Sequence, residues 1–268
     1  MSDQAWRVAP GTTVQLNQND PGDTGAFGTH KDAERELEAD IERLDELQEK
    51  LHVDGRFSIL LLLQGMDTSG KDGMVRHLSR GLDLVSAEVT SFKAPSSREL
   101  AHDFLWRIHQ RTPERGQVSI FNRSHYEDVL IVRVHDLVPR AVWEARYEQI
   151  NAFEELLVQN GTVIVKCFLH ISKDEQKERL QARLDDPTKL WKFNPNDLRE
   201  RAFWDDYQRA YEAVLTRCST AHAPWHIIPA NHKWYRNYAV THLLVEALAG
   251  LDLQLPVPSV DASKIEIR

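Results

Sequence analysis

The chain begins without a regular apolar rhythm. Residues 1–30 scatter Pro10-Gly11, Asn19, Pro21-Gly22 and Gly28 among isolated apolar positions, a pattern of turns and loops. A helical rhythm follows. Leu37, Ile41, Leu44, Leu47 and Leu51 recur three or four positions apart, which places them on one face of a long helix. Thr29 and Asp32 form a capping-box pattern at its start, and Gly55 supplies a stop. Phe57–Leu63 (FSILLLL) is then almost uninterruptedly apolar, as expected of a parallel strand covered on both faces.

The alternation continues. Val85–Phe92 reads as a second strand, Ser96–Gln110 as a helix, Pro113–Gly116 as a turn and Val118–Phe121 as a short buried strand. Ala141–Val158 is helical, and Thr162–Leu169 (TVIVKCFL) is a strong strand. Ser172, with Glu175 in capping position, opens a long polar helix that Asp185-Asp186-Pro187 interrupts. A second helix runs from about Asn196, just after Pro195, to Arg217. Trp225–Pro229 is a strand and Tyr235–Ala249 the last helix. The pattern predicts an α/β fold around a mainly parallel sheet: an irregular segment 1–30, one domain over 31–252, and a tail 253–268.

Composition narrows the class. The chain has 268 residues, 41% hydrophobic and 28% charged, which is enough apolar material for a core and excludes wholesale disorder. Cys167 and Cys218 are the only cysteines, which excludes a disulfide scaffold or a cysteine-rich zinc site. No apolar run reaches membrane-helix length and no signal-peptide pattern is visible, so no membrane partner and a cytoplasmic location are expected. The net charge of −8 argues against a nucleic-acid polymer as partner. That charge is unevenly spread. Residues 31–54 hold ten acidic against four basic side chains, whereas residues 55–268 hold 28 of each. The acidity therefore precedes the first core strand and leaves the body free to bind an anion.

The sharpest local signal is Gly65-Met66-Asp67-Thr68-Ser69-Gly70-Lys71-Asp72-Gly73, between the first strand and a helix. Glycine-rich turns in that context present consecutive backbone N–H groups to phosphate oxygens, with Lys71 adding an ammonium. Asp72 stands where Ser or Thr usually ligates magnesium, so metal must be held from elsewhere. Asp67, a hard anionic donor inside the turn, is the candidate. The strand 118–121 runs into a second polar cluster, Asn122-Arg123-Ser124-His125-Tyr126-Glu127-Asp128, at a C-terminal strand end where ligands of parallel sheets gather. Arg123 suits a phosphate, while Glu127 and Asp128 suit water-mediated magnesium or the nucleotide. Residues 173–201 carry eight basic and seven acidic side chains and read as a helical lid over about 173–215. Arg179 and Arg183 share a helix face, Lys189 and Lys192 flank Trp191, and Lys93 follows the second strand; all five are candidate phosphate contacts.

Together these stretches resemble the family-2 polyphosphate kinases. The resemblance rests on LLLQGMDTSGKDG, SFKAPS, FLWRIHQ, FNRSHYEDVL, KCFLHISKDEQKERLQARL, WKFNPNDL and APWHIIPANHKWYRN, and covers nearly the whole chain. It implies a three-layer α/β/α P-loop kinase-like fold with a helical lid, and a homodimer or homotetramer. It implies phosphoryl transfer between inorganic polyphosphate and nucleotides, adenine first and guanine second, with Mg2+ or Mn2+ in its place. By the same resemblance Asp67 binds metal and positions the acceptor, Lys71 is the essential loop lysine, Arg123 is the arginine of the second motif, and Arg183, Lys189 and Lys192 are basic lid positions. Asn122 departs from an expected aspartate. Glu127 resembles the subgroup accepting both nucleoside mono- and diphosphates. An ATP-dependent nucleoside-monophosphate kinase and a non-catalytic nucleotide-binding protein are the alternatives.

Overall fold

A computed structural model describes residues 5–256. Five strands form one parallel sheet: β1 (Ser58–Gln64), β2 (Ala87–Ser91), β3 (Val118–Asn122), β4 (Thr162–His170) and β5 (Trp225–Pro229), in the order β2-β3-β1-β4-β5. The central strand β1 pairs with β3 from Ile59↔Val118 to Leu63↔Asn122 and with β4 from Ser58↔Thr162 to Gln64↔Phe168. Ile59 to Leu63 have no exposed surface, which is why their sequence shows no alternation: both faces of β1 are covered.

The helices form the outer layers. On one face lie α2 (Lys71–Leu78) and α10 (Lys233–Ala249), with α1 (His30–Asp54) packed outside α10. On the other lies α6 (Arg140–Gln159). The capping box of α1 forms between Thr29 and Asp32, and Gly55 closes the helix at φ 65°. Leu37, Ile41, Leu44 and Leu51 of α1 are buried, and Leu47 packs at the rim. Among the described residues before α1, a short 3-10 turn spans Leu16–Gln18 and most of the rest is irregular. Even so, Trp6, Val8, Val14 and Leu16 are buried in the common core, and the backbone of Trp6 and Val8 pairs with β5 at 2.8 Å.

Two sequence expectations are corrected. Ser96–Gln110 is not one helix but two single turns, α3 (Ser97–Leu100) and α4 (Trp106–His109). The Asp103 carboxylate accepts from Leu105 N at 3.0 Å and starts a new turn, a local bond that competes with helix continuation. The second lid helix is likewise divided at Phe203 into α8 (Pro195–Ala202) and α9 (Trp204–Arg217). Phe203 packs on the ring of His135, and the bend turns Trp204, Tyr211, Val214 and Leu215 into the core while α8 buries no residue. The first lid helix, α7 (Lys173–Asp185), is capped by the Ser172 hydroxyl as expected. Of the tail, residues 257–268 lie outside the described part.

The chain leaves β1 toward β2 on one side and, after β3, crosses to β4 on the other. The switch point therefore falls at the C-terminal end of β1, where open α/β sheets bind ligands.

Candidate active site

The turn after β1 is held in a costly shape. Thr68 and Arg123, neither a glycine, sit at φ 65° and 64°. Such left-handed positions cost roughly 1–3 kcal/mol each and persist where the surroundings over-determine them. Here they occur one in each of the two polar turns, after β1 and after β3. At Gly70, φ is 102° and a Cβ would stand 1.8 Å from a guanidinium nitrogen of Arg236, so only glycine fits.

The two turns meet. Arg123 Nη2 lies 2.7 Å from Asp67 Oδ1, and Arg123 Nη1 lies 3.4 Å from Glu127 Oε2. Glu127 and then Asp67 raise the Arg123 pKa against the opposing effect of burial. The other oxygen of Glu127, Oε1, is buried without a partner. Lys71 is buried, and its ammonium donates to the carbonyls of Gly65 at 2.7 Å and Met66 at 3.1 Å. Burial first, and then the Arg123 guanidinium, lower its pKa to about 8. Ser69 is buried, and the Thr68 hydroxyl is buried without a partner.

The two departures from the motif pattern explain each other. Asn122 Nδ2 donates to Asp72 Oδ1 at 2.6 Å. An aspartate at 122 would set two carboxylates against each other, whereas the amide joins the two turns with a hydrogen bond to a charged acceptor.

The remaining predicted residues are distributed differently. Asp128 faces away from Asp67: it receives Arg146 at 3.3 Å and lies 3.9 Å from Arg107, and burial holds its pKa up despite both. Arg179 does not present its guanidinium to the centre. Its donors go to the carbonyls of Thr68, Ser69, Ala230 and Asn231 and to Glu175, so it ties the lid, the phosphate-loop backbone and the loop after β5 together. Arg183 pairs with Asp197 at 3.1 Å. Burial and then Asp67 raise the Asp197 pKa, which places this lid pair toward the centre. Lys189 is exposed and pairs with Asp186 at 2.5 Å, and Lys192 lies over the ring of Trp191. Lys93 is exposed at the same sheet edge, just beyond the backbone bond from Phe92 N to Asn122 O.

Sequence reading missed the lid's inner wall. Gln176 donates to Asp67 O at 3.0 Å, and Glu200, Arg201, Tyr207 and Tyr211 line the same space. The pocket they line is small, about 20 Å³, room for a water and too little for a nucleotide. Only the helical period of Tyr207 and Tyr211, four apart, hinted that α9 turns one face inward. Arg236 was also missed, since its partners in space, Gly70 and Gly73, lie far away in sequence.

No cluster of three or more metal-ligating side chains exists among the described residues. The donors present suit a hard cation shared with substrate: one or two carboxylates, Asp67 and Glu127, with the remaining ligands supplied by phosphate and water. The orphaned Glu127 Oε1 agrees with that donor set.

Residues 28–256 match the polyphosphate kinase 2 family. The chain is 51% identical over 263 residues to the AMP/ADP-polyphosphate phosphotransferase of Meiothermus ruber, covering 98% of each chain. It is 43% identical over 264 residues to the ADP-polyphosphate phosphotransferase of Rhodopseudomonas palustris, covering 94% of this chain and 91% of the relative. The crystal structure of polyphosphate kinase 2 from Arthrobacter aurescens TC1 superposes with a TM-score of 0.95 at 48% identity, over 98% of this chain and 94% of that one. With sequence and fold alike from end to end, the chain belongs to the polyphosphate kinase 2 family.

Proposed function

We propose that this enzyme transfers phosphoryl groups between inorganic polyphosphate and adenine nucleotides, phosphorylating AMP and ADP. The observation that carries the reading is the meeting of Asp67, Lys71 and Arg123 at the C-terminal ends of β1 and β3, in a chain of this family. The name of the Meiothermus ruber relative supports both acceptors.

In this reading, an acceptor phosphate oxygen attacks the terminal phosphorus of polyphosphate. The phosphoanhydride bond breaks, and the shortened chain leaves with the bonding electron pair. The attacking oxygen is already anionic, so the site needs no strong base. Its work is positioning and charge stabilisation. Lys71 exchanges the carbonyls of Gly65 and Met66 for phosphate oxygens. Arg123, released from Asp67 and Glu127, neutralises the transferred group. Those two carboxylates would hold Mg2+, or Mn2+ in its place, which supplies further charge neutralisation when bound. Asn122, Asp72 and the backbone of Gly65–Gly73 shape the cradle, while Arg179 braces it. Arg183, Lys189, Lys192 and Lys93 serve as outer phosphate contacts. The pocket between lid and loop is too small for a nucleotide, so in this reading α7–α9 move outward to admit substrate and close again to exclude water.

The same reading includes a homodimer or homotetramer. Leu84 and Val85 in the turn before the edge strand β2, and Val89 on it, are exposed apolar surface available to such an assembly, and sedimentation measures it directly. It also includes a cytoplasmic location; no helix among the described residues is long and apolar enough to cross a membrane.

The deciding experiment is a donor–acceptor matrix: polyphosphate or ATP against AMP, ADP, GMP and GDP, each with Mg2+. Product from AMP and ADP with polyphosphate and no ATP is expected. Turnover only with ATP would turn the assignment to a nucleoside-monophosphate kinase. The GMP and GDP arms decide whether guanine nucleotides are accepted.

A further inference from the structure

Arg236 lies on α10, only 4% exposed. Its guanidinium is pressed against the outer wall of the phosphate loop. A Cβ at Gly70 would stand 1.8 Å from Nη1, and one at Gly73 would stand 3.4 Å from Nη2. Gly70 is the N-cap of α2, so this cation sits beside the helix end that already carries positive dipole charge. Its hydrogen bonds go to one neutral acceptor, Asn237 Oδ1, from Nε at 3.3 Å and Nη2 at 2.7 Å. Among the described residues no carboxylate forms an ion pair with it. Burial first, then Arg179, pull its pKa down to about 10.

The surroundings show the same imbalance. One turn further along α2, His77 is buried with Nε2 unpartnered. Burial, then Arg80 and Arg236, push its pKa down to about 4. Buried guanidinium groups are normally paired with carboxylates, because the charge otherwise goes uncompensated in a weakly polar medium. Arg236 therefore stands behind the loop as a buried positive charge with no carboxylate partner among the described residues. The group that would compensate it is an anion on the loop's inner side.

We propose that Arg236 is a positioning residue for the phosphoryl group held in the loop. It is a fixed buried cation behind Gly70 whose cost is offset when phosphate occupies the loop, and it therefore sets polyphosphate affinity rather than the rate of transfer. It acts through the loop wall, not by contact with the reacting atoms. The absence of a side chain at Gly70 and Gly73 is what lets it approach. The inference rests on the reading of this loop as a phosphate site.

The test compares Arg236→Gln, Arg236→Lys and the wild type in two measurements: thermal unfolding with and without inorganic tripolyphosphate, and KM and kcat for polyphosphate with saturating ADP. Without anion, Arg236→Gln is expected to melt no lower than the wild type, yet to lose most of the stabilisation by tripolyphosphate. Its KM for polyphosphate should rise about tenfold or more while kcat changes less than about threefold, as removal of a buried charge near a bound anion implies. Arg236→Lys, which keeps the charge, should recover part of the KM. An unchanged KM in folded Arg236→Gln overturns the proposal. So does a variant that melts far lower or fails to fold without anion, since that marks Arg236 as a structural prop. If wild-type protein is stabilised by tripolyphosphate but transfers nothing from polyphosphate, the functional reading fails while this inference stands.

Discussion

Buried charge occurs on both sides of the sheet, and the two sides are built differently. On the α6 side, Lys166 has no exposed surface, and its ammonium lies 2.5 Å from Glu154 Oε2, 3.0 Å from the Tyr126 hydroxyl and 2.7 Å from Cys218 O. The other Glu154 oxygen takes His125 at 3.1 Å and Tyr126 at 2.8 Å. Burial pushes the Glu154 pKa up, but Lys166 and His125 outweigh it and hold the carboxyl below its usual range. On the α2–α10 side, Lys71 and Arg236 rest on carbonyls and one amide, and burial pulls both pKa values down. The first group balances its own charge and fixes the turn that carries Arg123. In the second, Asp67, Glu127 and Asp72 partly offset the burial of Lys71, whereas Arg236, behind the turn read as the phosphate cradle, has no carboxylate partner among the described residues. The contrast separates a charge cluster that holds the fold from one that awaits a ligand.

The strongest way to break that comparison is to open the balanced cluster. Glu154→Gln leaves the Lys166 ammonium buried without a carboxylate. Losing one partner of a buried pair costs about 3–5 kcal/mol, most of it the penalty on the charge left behind. Urea unfolding should show the midpoint falling accordingly. Pairing the change with Lys166→Met removes the stranded charge and should return much of the loss. A Glu154→Gln variant within about 1 kcal/mol of the wild type would mean that the cluster is not held by its charges.

A smaller effect is expected from protons on the other side. The Lys71 pKa of about 8 makes the ammonium the main form at neutral pH and the neutral amine the main form only above about pH 8. Only the ammonium neutralises phosphate. Therefore kcat/KM for polyphosphate, which reports the free enzyme, should fall about tenfold per pH unit once pH passes about 8. Bound phosphate favours the charged form, so kcat at saturating substrate should hold to higher pH. Parallel profiles for the two constants would show that substrate does not supply the missing negative charge.

The two sides also differ in how much of them the sequence discloses. The phosphate loop is legible because its chemistry is local: nine consecutive residues between an apolar strand and a helix state both the backbone shape and the ammonium. The parallel sheet is legible for a similar reason, since runs such as FSILLLL are continuous where both faces are covered. The compensated cluster is not legible. His125, Glu154, Lys166 and Cys218 come from four different elements, and Lys166 interrupts the apolar TVIVKCFL run with no sign of its partner. Arg179 misleads for a related cause. Its helix position suggested a phosphate contact, but the acceptors that take its donors are backbone carbonyls, which every sequence possesses and none advertises. The pairing of Asp72 with Asn122 lay in plain view as two departures from a pattern, yet only the side-by-side pairing of β1 and β3 shows them to be one bond.

The smallest expected effect sharpens the comparison from outside. One guanidinium nitrogen of Arg80 lies 2.8 and 3.0 Å from the two oxygens of Glu38, as short as several contacts in the buried cluster, but the two side chains are 49% and 51% exposed. Water and salt already solvate both groups in the unfolded and folded chain, so little is gained when they meet. Arg80→Ala should change stability by about 0.5 kcal/mol or less, and raising the salt concentration should erase even that. A loss as large as that of Glu154→Gln would mean that contact distance rather than burial sets the worth of an ion pair here. Burial would then not be what makes the uncompensated charge of Arg236 matter.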